Sequence, residues 1–288
     1  MFAVDSYGAR VDYQRVRKLL LLLPVAIVAC RSIVDPPLPD EAEPFAPPPV
    51  YARWWAMTES CSGLTGSLAN VSFYTVRGST TLMLEGKQVI GYWSAGTNRI
   101  VIAEGAMLGG GYVRHEMLHA LKQKAGHPRA DFLDKCGGFV TCAPDCVAEG
   151  GPPPPVDANT PHVTAASLDL TMEIGPASPS VSTEGGVFSV ILSAKNPADH
   201  TVAVTLSGKQ GSASAFGYKI TGANGALSGG VVALDPAVTV FAAGETKKQV
   251  FDFVIWRLGS GGDFPPGTYT VTGSYDIRGV SRTIVLSP

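Results

Sequence analysis

The sequence predicts a multidomain chain: a small α+β domain built round one functional helix, then an all-β sandwich. Three observations lead there. At 288 residues the chain is longer than one compact core usually needs. It holds 33 glycines and 22 prolines against only 16% charged residues, a balance that favours strands, turns and stiff linkers over long surface helices. The hydrophobic pattern is mixed before the run Gly150-Gly151-Pro152-Pro153-Pro154-Pro155 and alternates with period two after it. A formal charge of −2 leaves no basic surplus to neutralise phosphates, so nucleic acid is not an expected partner.

The first segment, residues 1–29, reads as a signal peptide. Arg15, Arg17 and Lys18 precede an unbroken apolar run from Leu19 to Ala29, long enough for a signal core and too short to span a bilayer as a helix. The run ends Ile27-Val28-Ala29-Cys30, which resembles the bacterial lipobox. The resemblance implies lipidation of Cys30, a membrane anchor at the mature N-terminus, and an extracytoplasmic lipoprotein in the periplasm or at the cell surface. Residues 30–50 are proline-rich and acidic, with Pro36, Pro37, Pro39, Pro44 and Pro47 to Pro49 beside Asp35, Asp40, Glu41 and Glu43, and read as an extended tether.

Residues 51–149 form the mixed domain. Strands are expected at Val71 to Val76, Thr80 to Glu85 and Arg99 to Glu104 from their β-branched content, with Gly86, Gly91 and Gly96 as punctuation. After Gly109-Gly110-Gly111 the stretch Tyr112 to Lys124 is rich in helix formers and meets stop signals at Gly126 and Pro128. Trp54 and Trp55 read as core anchors. Cys61, Cys136, Cys142 and Cys146 make an even set in an oxidising compartment and are expected as two disulfides, in any of three pairings.

The chemistry lies on the predicted helix. His115-Glu116-Met117-Leu118-His119 is an HExxH. Residues four apart on a helix differ by about 40° and rise about 6 Å, so both imidazoles leave one face and can share a Zn²⁺ ion. Glu116 falls beside that ion, where it can take a proton from activated water and return it to a leaving amine. Here the chain resembles the zincin metallopeptidases, from Arg99 through His127. The resemblance implies that His115 and His119 ligate zinc, that Glu116 is the general base, that the substrate is a protein or peptide, and that a strand such as Arg99 to Glu104 forms the cleft edge. A catalytic zinc takes three protein ligands and keeps one position open. His127 is the third candidate, with Asp131, Asp134 and Glu149 as alternatives. The interval of eight from His119 to His127 departs from the six of metzincins, and a straight helix would carry His127 about 12 Å along the axis, so the chain must reverse. Tyr112 and Tyr92 are candidate transition-state donors by position alone.

After a linker at residues 150–162, residues 163–288 alternate apolar and polar positions: Leu168, Leu170, Met172 and Ile174, then Phe188, Val190 and Leu192, then Val202, Val204 and Leu206. This pattern, with further strands near Val250 to Trp256 and Thr268 to Tyr275, predicts an immunoglobulin-like β-sandwich. Asn196-Pro197, Ala243-Gly244-Glu245, Phe251-Asp252-Phe253 and Pro265 to Gly273 together resemble the BsuPI-type intracellular proteinase inhibitor, which implies a binding or regulatory module. The expected function is a lipid-anchored zinc metallopeptidase. The alternative is a non-catalytic surface lipoprotein whose sandwich binds a protein or glycan partner.

Overall fold

The elements of the first half are set by where apolar side chains recur. The computed structural model describes residues 35–142, 145–151, 155–177, 179, 186–207, 214–223, 225–233, 238–255, 264 and 266–287. The signal segment, Cys30 and most of the second proline tract lie outside these residues. Strand β1 (Ala42–Pro44) opens the described chain and is followed by helix α1 (Val50–Ser62). Strands β2 (Ser72–Val76), β3 (Leu82–Leu84), β4 (Lys87–Val89), β5 (Gly91–Ser94) and β6 (Arg99–Ala103) come next, and then helix α2 (Gly110–Lys122). A π-helical turn at Ala130–Lys135 and a short helix α3 (Asp145–Gly150) complete the half.

Helix α1 adds to the sequence expectation, whose one named helix in this domain was Tyr112 to Lys124. It buries Val50, Tyr51, Trp54, Trp55 and Thr58, one stripe at helical spacing, and closes on Gly63, whose φ of 73° lets its N–H reach the Glu59 carbonyl. The tether expectation also changes. Residues from Pro37 onward lie against the domain: Tyr92 Oη donates to the Pro37 carbonyl at 3.3 Å, Leu38 packs beside Leu82 and Val101, and β1 pairs antiparallel with β2.

One sheet has the order β1-β2-β6-β5, with β2 and β6 parallel; β3 and β4 form a hairpin. Because β6 is flanked on both sides, Arg99 to Glu104 is not an edge of this sheet; its edges are β1 and β5. Val101, Ile102 and Ala103 of β6 are fully buried, as a central strand requires.

The second half is strand-rich, as expected, and its described residues contain only a short 3-10 turn at Ala165–Ser167 besides strands. These are β7 (His162–Thr164), β8 (Asp169–Gly175), β9 (Val187–Lys195), β10 (Val202–Thr205), β11 (Ser214–Gly222), β12 (Gly225–Ala233), β13 (Val238–Phe241), β14 (Thr246–Val254), β15 (Gly267–Tyr275) and β16 (Arg278–Leu286). They form sheets β13-β10-β7, β12-β11-β15-β16 and β14-β9-β8. One hydrophobic core is shared by all three, with Met172, Phe188, Leu192, Val204, Ile220, Phe241, Val271 and Ile284 inside it.

Residues Pro37–Pro288 form one compact unit. The linker at 150–162 marks a change of composition, and the two halves nevertheless share apolar clusters: Val187 packs with Tyr51 and Trp54, and Val250 with Leu118 and Phe132. The Val250 N–H donates to the Gly138 carbonyl at 2.8 Å. Arg114 of α2 donates through Nη2 to Asp252 of β14 at 2.8 Å and through Nε to the Phe139 carbonyl at 2.6 Å. Helix α2 is therefore clamped to the strand-rich second half one residue before its first histidine.

Candidate metal centre

Helix α2 turns its HExxH inward. Val113, Met117 and Leu118 are fully buried on its core side, and the motif faces β5 and the π-helical turn. The helix stops earlier than the glycine at 126 suggested: Gln123 takes the left-handed conformation at φ 52°, and Gly126 at φ 82° then turns the chain. This reversal brings His127 back over the helix. The Nε2 atoms of His115 and His127 are 3.1 Å apart, those of His119 and His115 3.2 Å, and those of His119 and His127 3.2 Å.

Three nitrogens this close are spaced as the ligands of one ion would be. Bonds of about 2.0–2.1 Å in a tetrahedral arrangement place ligand nitrogens about 3.3–3.4 Å apart, within a few tenths of an ångström of the separations here. Each of the other ring nitrogens lies beside an oxygen. His115 Nδ1 donates to the Thr141 carbonyl at 3.1 Å and His119 Nδ1 to the Lys124 carbonyl at 3.0 Å. His127 Nδ1 lies 3.1 Å from Glu149 Oε2, which also accepts the His127 backbone N–H at 2.8 Å. A proton on each Nδ1 leaves each Nε2 lone pair free, which is the tautomer a metal ligand needs. Burial, reinforced by the adjacent imidazoles, pushes His115 down to about 3, and burial brings His119 to about 4, so both stay neutral at physiological pH.

Beneath the cluster lies Phe132, fully buried, with its ring centroid 5.1 Å from that of His115, 4.8 Å from His119 and 5.0 Å from His127. It forms an apolar floor that limits how the three rings can tilt. Trp93 of β5 stacks on His119 at 6.4 Å with planes 6° apart, and its Nε1 is held by Asn98 Oδ1 at 2.9 Å.

Glu116 is the remaining polar group. Its carboxylate, His115 and His119 offer ligand atoms within 4.8 Å of one another. Burial raises its pKa to about 8, opposed by a hydrogen bond from the Trp93 backbone N–H. That donor is available because of sheet register. Ala103 N–H bonds the Ile90 carbonyl, so in the antiparallel ladder Tyr92 and Ser94 face β6 while Gly91 and Trp93 turn their backbone groups outward.

The acidic alternatives for a third ligand are engaged elsewhere. Asp131 pairs with Lys122 and Lys135, and these cations hold its carboxyl below the usual range. Asp134 sits 3.2 Å from Arg129. Glu149 supports His127 from outside the cluster. Tyr92 is buried with its hydroxyl on Pro37, whereas Tyr112 is 38% exposed. The four cysteines are at bonding distance as Cys61–Cys136 and Cys142–Cys146, with Cα separations of 5.2 and 5.3 Å. A ring nitrogen each of His115 and His127 and both sulfurs of Cys142 and Cys146 also lie within 4.8 Å of one another. A cavity of about 310 Å³ lies along the same helix, lined by Gly111, Tyr112, Arg114, Thr141, Tyr218 and Phe251, and its lining contains none of the three imidazoles. Sequence reasoning did not single out Trp93 or Phe132, nor the carbonyls of Thr141 and Lys124.

No family model matches the chain, and no curated protein matches it. Solved structures resemble parts of it shallowly. An alkylpurine DNA glycosylase, AlkC, from Pseudomonas fluorescens, bound to DNA with an abasic site analogue, is 13% identical over 42% of this chain and 31% of its own, with a TM-score of 0.29. A mutant β-glucosidase from Listeria innocua in complex with laminaribiose is 11% identical over 42% of this chain and 16% of its own, with a TM-score of 0.27. The ApaA protein from Bordetella pertussis is 16% identical over 44% of this chain and 91% of its own, with a TM-score of 0.21. Likenesses of this depth carry no functional argument.

Proposed function

We propose that this protein is an exported, lipid-anchored zinc metallopeptidase that hydrolyses peptide bonds. The observation that carries this reading is the closure of three Nε2 atoms to 3.1–3.2 Å beside a buried glutamate. His115, His119 and His127 would hold the ion, and zinc supplies a Lewis acid that acidifies water and polarises a carbonyl. The remaining chemistry falls to the chain. Glu116 takes the proton of the attacking water and returns it to the leaving amine; its apolar surroundings favour the protonated form that this return needs. The Trp93 N–H fixes the direction of its carboxylate. An extended substrate pairing with the outer edge of β5, through Gly91, would run past Glu116. A site kept only to hold metal has no use for a base one residue from its ligand.

Two cystines support an extracytoplasmic address. Among the described residues no helix is long and apolar enough to cross a membrane. Attachment through lipid rests on Cys30 at the end of the apolar run Leu19 to Ala29. The immunoglobulin-like second half serves as a brace for α2.

The test is metal analysis together with cleavage of a general peptide library by wild type and Glu116→Gln. Both proteins are expected to hold one zinc, and the variant to lose turnover by about 10²–10⁴-fold. Equal cleavage by the two would refute the role of Glu116. A zinc-loaded wild type that cleaves nothing would favour a non-catalytic surface lipoprotein.

A further inference from the structure

We infer that Cys142 and Cys146 form a redox-controlled cap on the histidine cluster: joined, they leave the metal to three imidazoles, and once reduced, one of their thiolates takes the remaining coordination position. This inference rests on the metal centre proposed above and concerns its regulation. Its basis is proximity, since both sulfurs lie within 4.8 Å of a ring nitrogen of His115 and of one of His127. In a tetrahedral site a zinc-bound sulfur and nitrogen are about 3.6 Å apart, so a sulfur released from its partner starts near coordination range of these two imidazoles.

The surrounding chain ties these cysteines to the ligands. Cys142 directly follows Thr141, whose carbonyl accepts from His115 Nδ1. Cys146 is fully buried and lies on α3, the helix whose Glu149 supports His127. The Cys146 N–H donates to the Cys142 carbonyl at 2.9 Å, which keeps the two residues one helical turn apart. With a sequence separation of 4 against 75 for Cys61–Cys136, this crosslink restrains little of the unfolded chain, so its reduction leaves the fold intact. Thiolate is also a preferred zinc ligand.

The chemistry balances with a dithiol reductant. A reductant thiolate attacks one cysteine sulfur, the S–S bond breaks, and the second reductant thiol resolves the mixed disulfide. Each cysteine sulfur gains one electron and one proton, and the dithiol leaves as its disulfide. The cysteine thiol that meets the metal gives its proton to solvent. Hydrolysis then loses the open position that it requires; exchange with a disulfide oxidant, which leaves as its dithiol, rejoins Cys142 and Cys146 and restores it.

The experiment uses the full chain loaded with Co²⁺, in the oxidised form and after treatment with a phosphine reductant that is removed before loading. Reduction is expected to add thiolate-to-cobalt charge-transfer absorption in the near ultraviolet, and reoxidation to abolish it. The Cys142→Ser/Cys146→Ser double variant, which retains Cys61 and Cys136, is expected to bind cobalt without that band in either state. Zinc-loaded wild type should lose peptidase activity on reduction, and the double variant should not. Cobalt bound in both redox states of wild type with no sulfur band overturns the inference alone. Failure of the oxidised protein to bind cobalt overturns the metal centre, and the inference with it.

Discussion

Replacing Asp252 by Asn removes one charge from the clamp between helix α2 and β14 while keeping its shape. Arg114 and Asp252 have side chains 1% and 9% exposed, so neither charge has water to fall back on. Asp252 also accepts from Ser189 Oγ at 2.6 Å, and the Arg114 guanidinium lies 5.8 Å from the centre of the Trp54 ring. With the carboxylate neutralised, the guanidinium keeps only the Phe139 carbonyl as a strong acceptor. Breaking a buried pair from one side costs about 3–5 kcal/mol, and each kcal/mol lowers Tm by about 2–4 °C in a protein of this size, giving a fall of about 6–20 °C. Urea or thermal unfolding in EDTA measures it, because bound metal would add linkage stability of its own. Arg114→Met combined with Asp252→Leu should recover most of the loss, since an apolar replacement of both partners leaves no uncompensated charge. A cost below about 1 kcal/mol for Asp252→Asn would refute the burial on which the clamp argument rests.

Two further outcomes are expected. Glu149→Gln keeps a hydrogen-bond acceptor at His127 but loses the negative charge; zinc affinity, measured by competition with a chromophoric chelator, should fall about 10–100-fold while the fold persists. In the metal-free protein, His115 and His119 are held at about 3 and about 4 against an ordinary 6.5, so the unfolded chain binds protons that the folded chain refuses. Stability is then fully present above about pH 6.5 and lost as pH falls through about 4 towards 3; urea midpoints at pH 7, 5 and 4 in EDTA check this, and a flat series would contradict it.

How much of this was readable in the sequence depends on how local each feature is. The HExxH needs only helical spacing, so the pairing of His115 with His119, and the place of Glu116 beside them, follow from a stretch of five residues. His127 was readable as a residue type after a turn signal, but its return to the cluster depends on Gln123 adopting a left-handed conformation, which nothing in its side chain demands. Helix α1 escaped notice because Trp54, Trp55 and Thr58 are modest helix formers behind a run of prolines; the spacing of Tyr51, Trp54, Trp55 and Thr58 was the available signal. The cleft-edge strand was misassigned because chain order does not give sheet order: β2 and β6 pair in parallel across two intervening hairpin strands and β5, which pushes β6 inward. The acceptors at Thr141 and Lys124 are backbone carbonyls, which carry no residue identity to read.

The run Gly109-Gly110-Gly111 shows the same limit from the opposite side. Its composition reads as a turn, and Gly in a helix costs about 1 kcal/mol relative to Ala, yet Gly110 and Gly111 are the first residues of α2. The reason lies far along the chain. A Cβ on Gly110 would run into the Asp252 carboxylate, and one on Gly111 into the Thr141 hydroxyl. Gly138 is constrained likewise, since a Cβ there would meet the Lys248 carbonyl of β14. All three glycines are therefore spaces left for other segments: the sandwich at Gly110 and Gly138, and the loop that holds His115 at Gly111. The proline tract separates two compositions, but close packing runs across it at Gly110 and Gly138, and helix α2 begins at the first of these contacts.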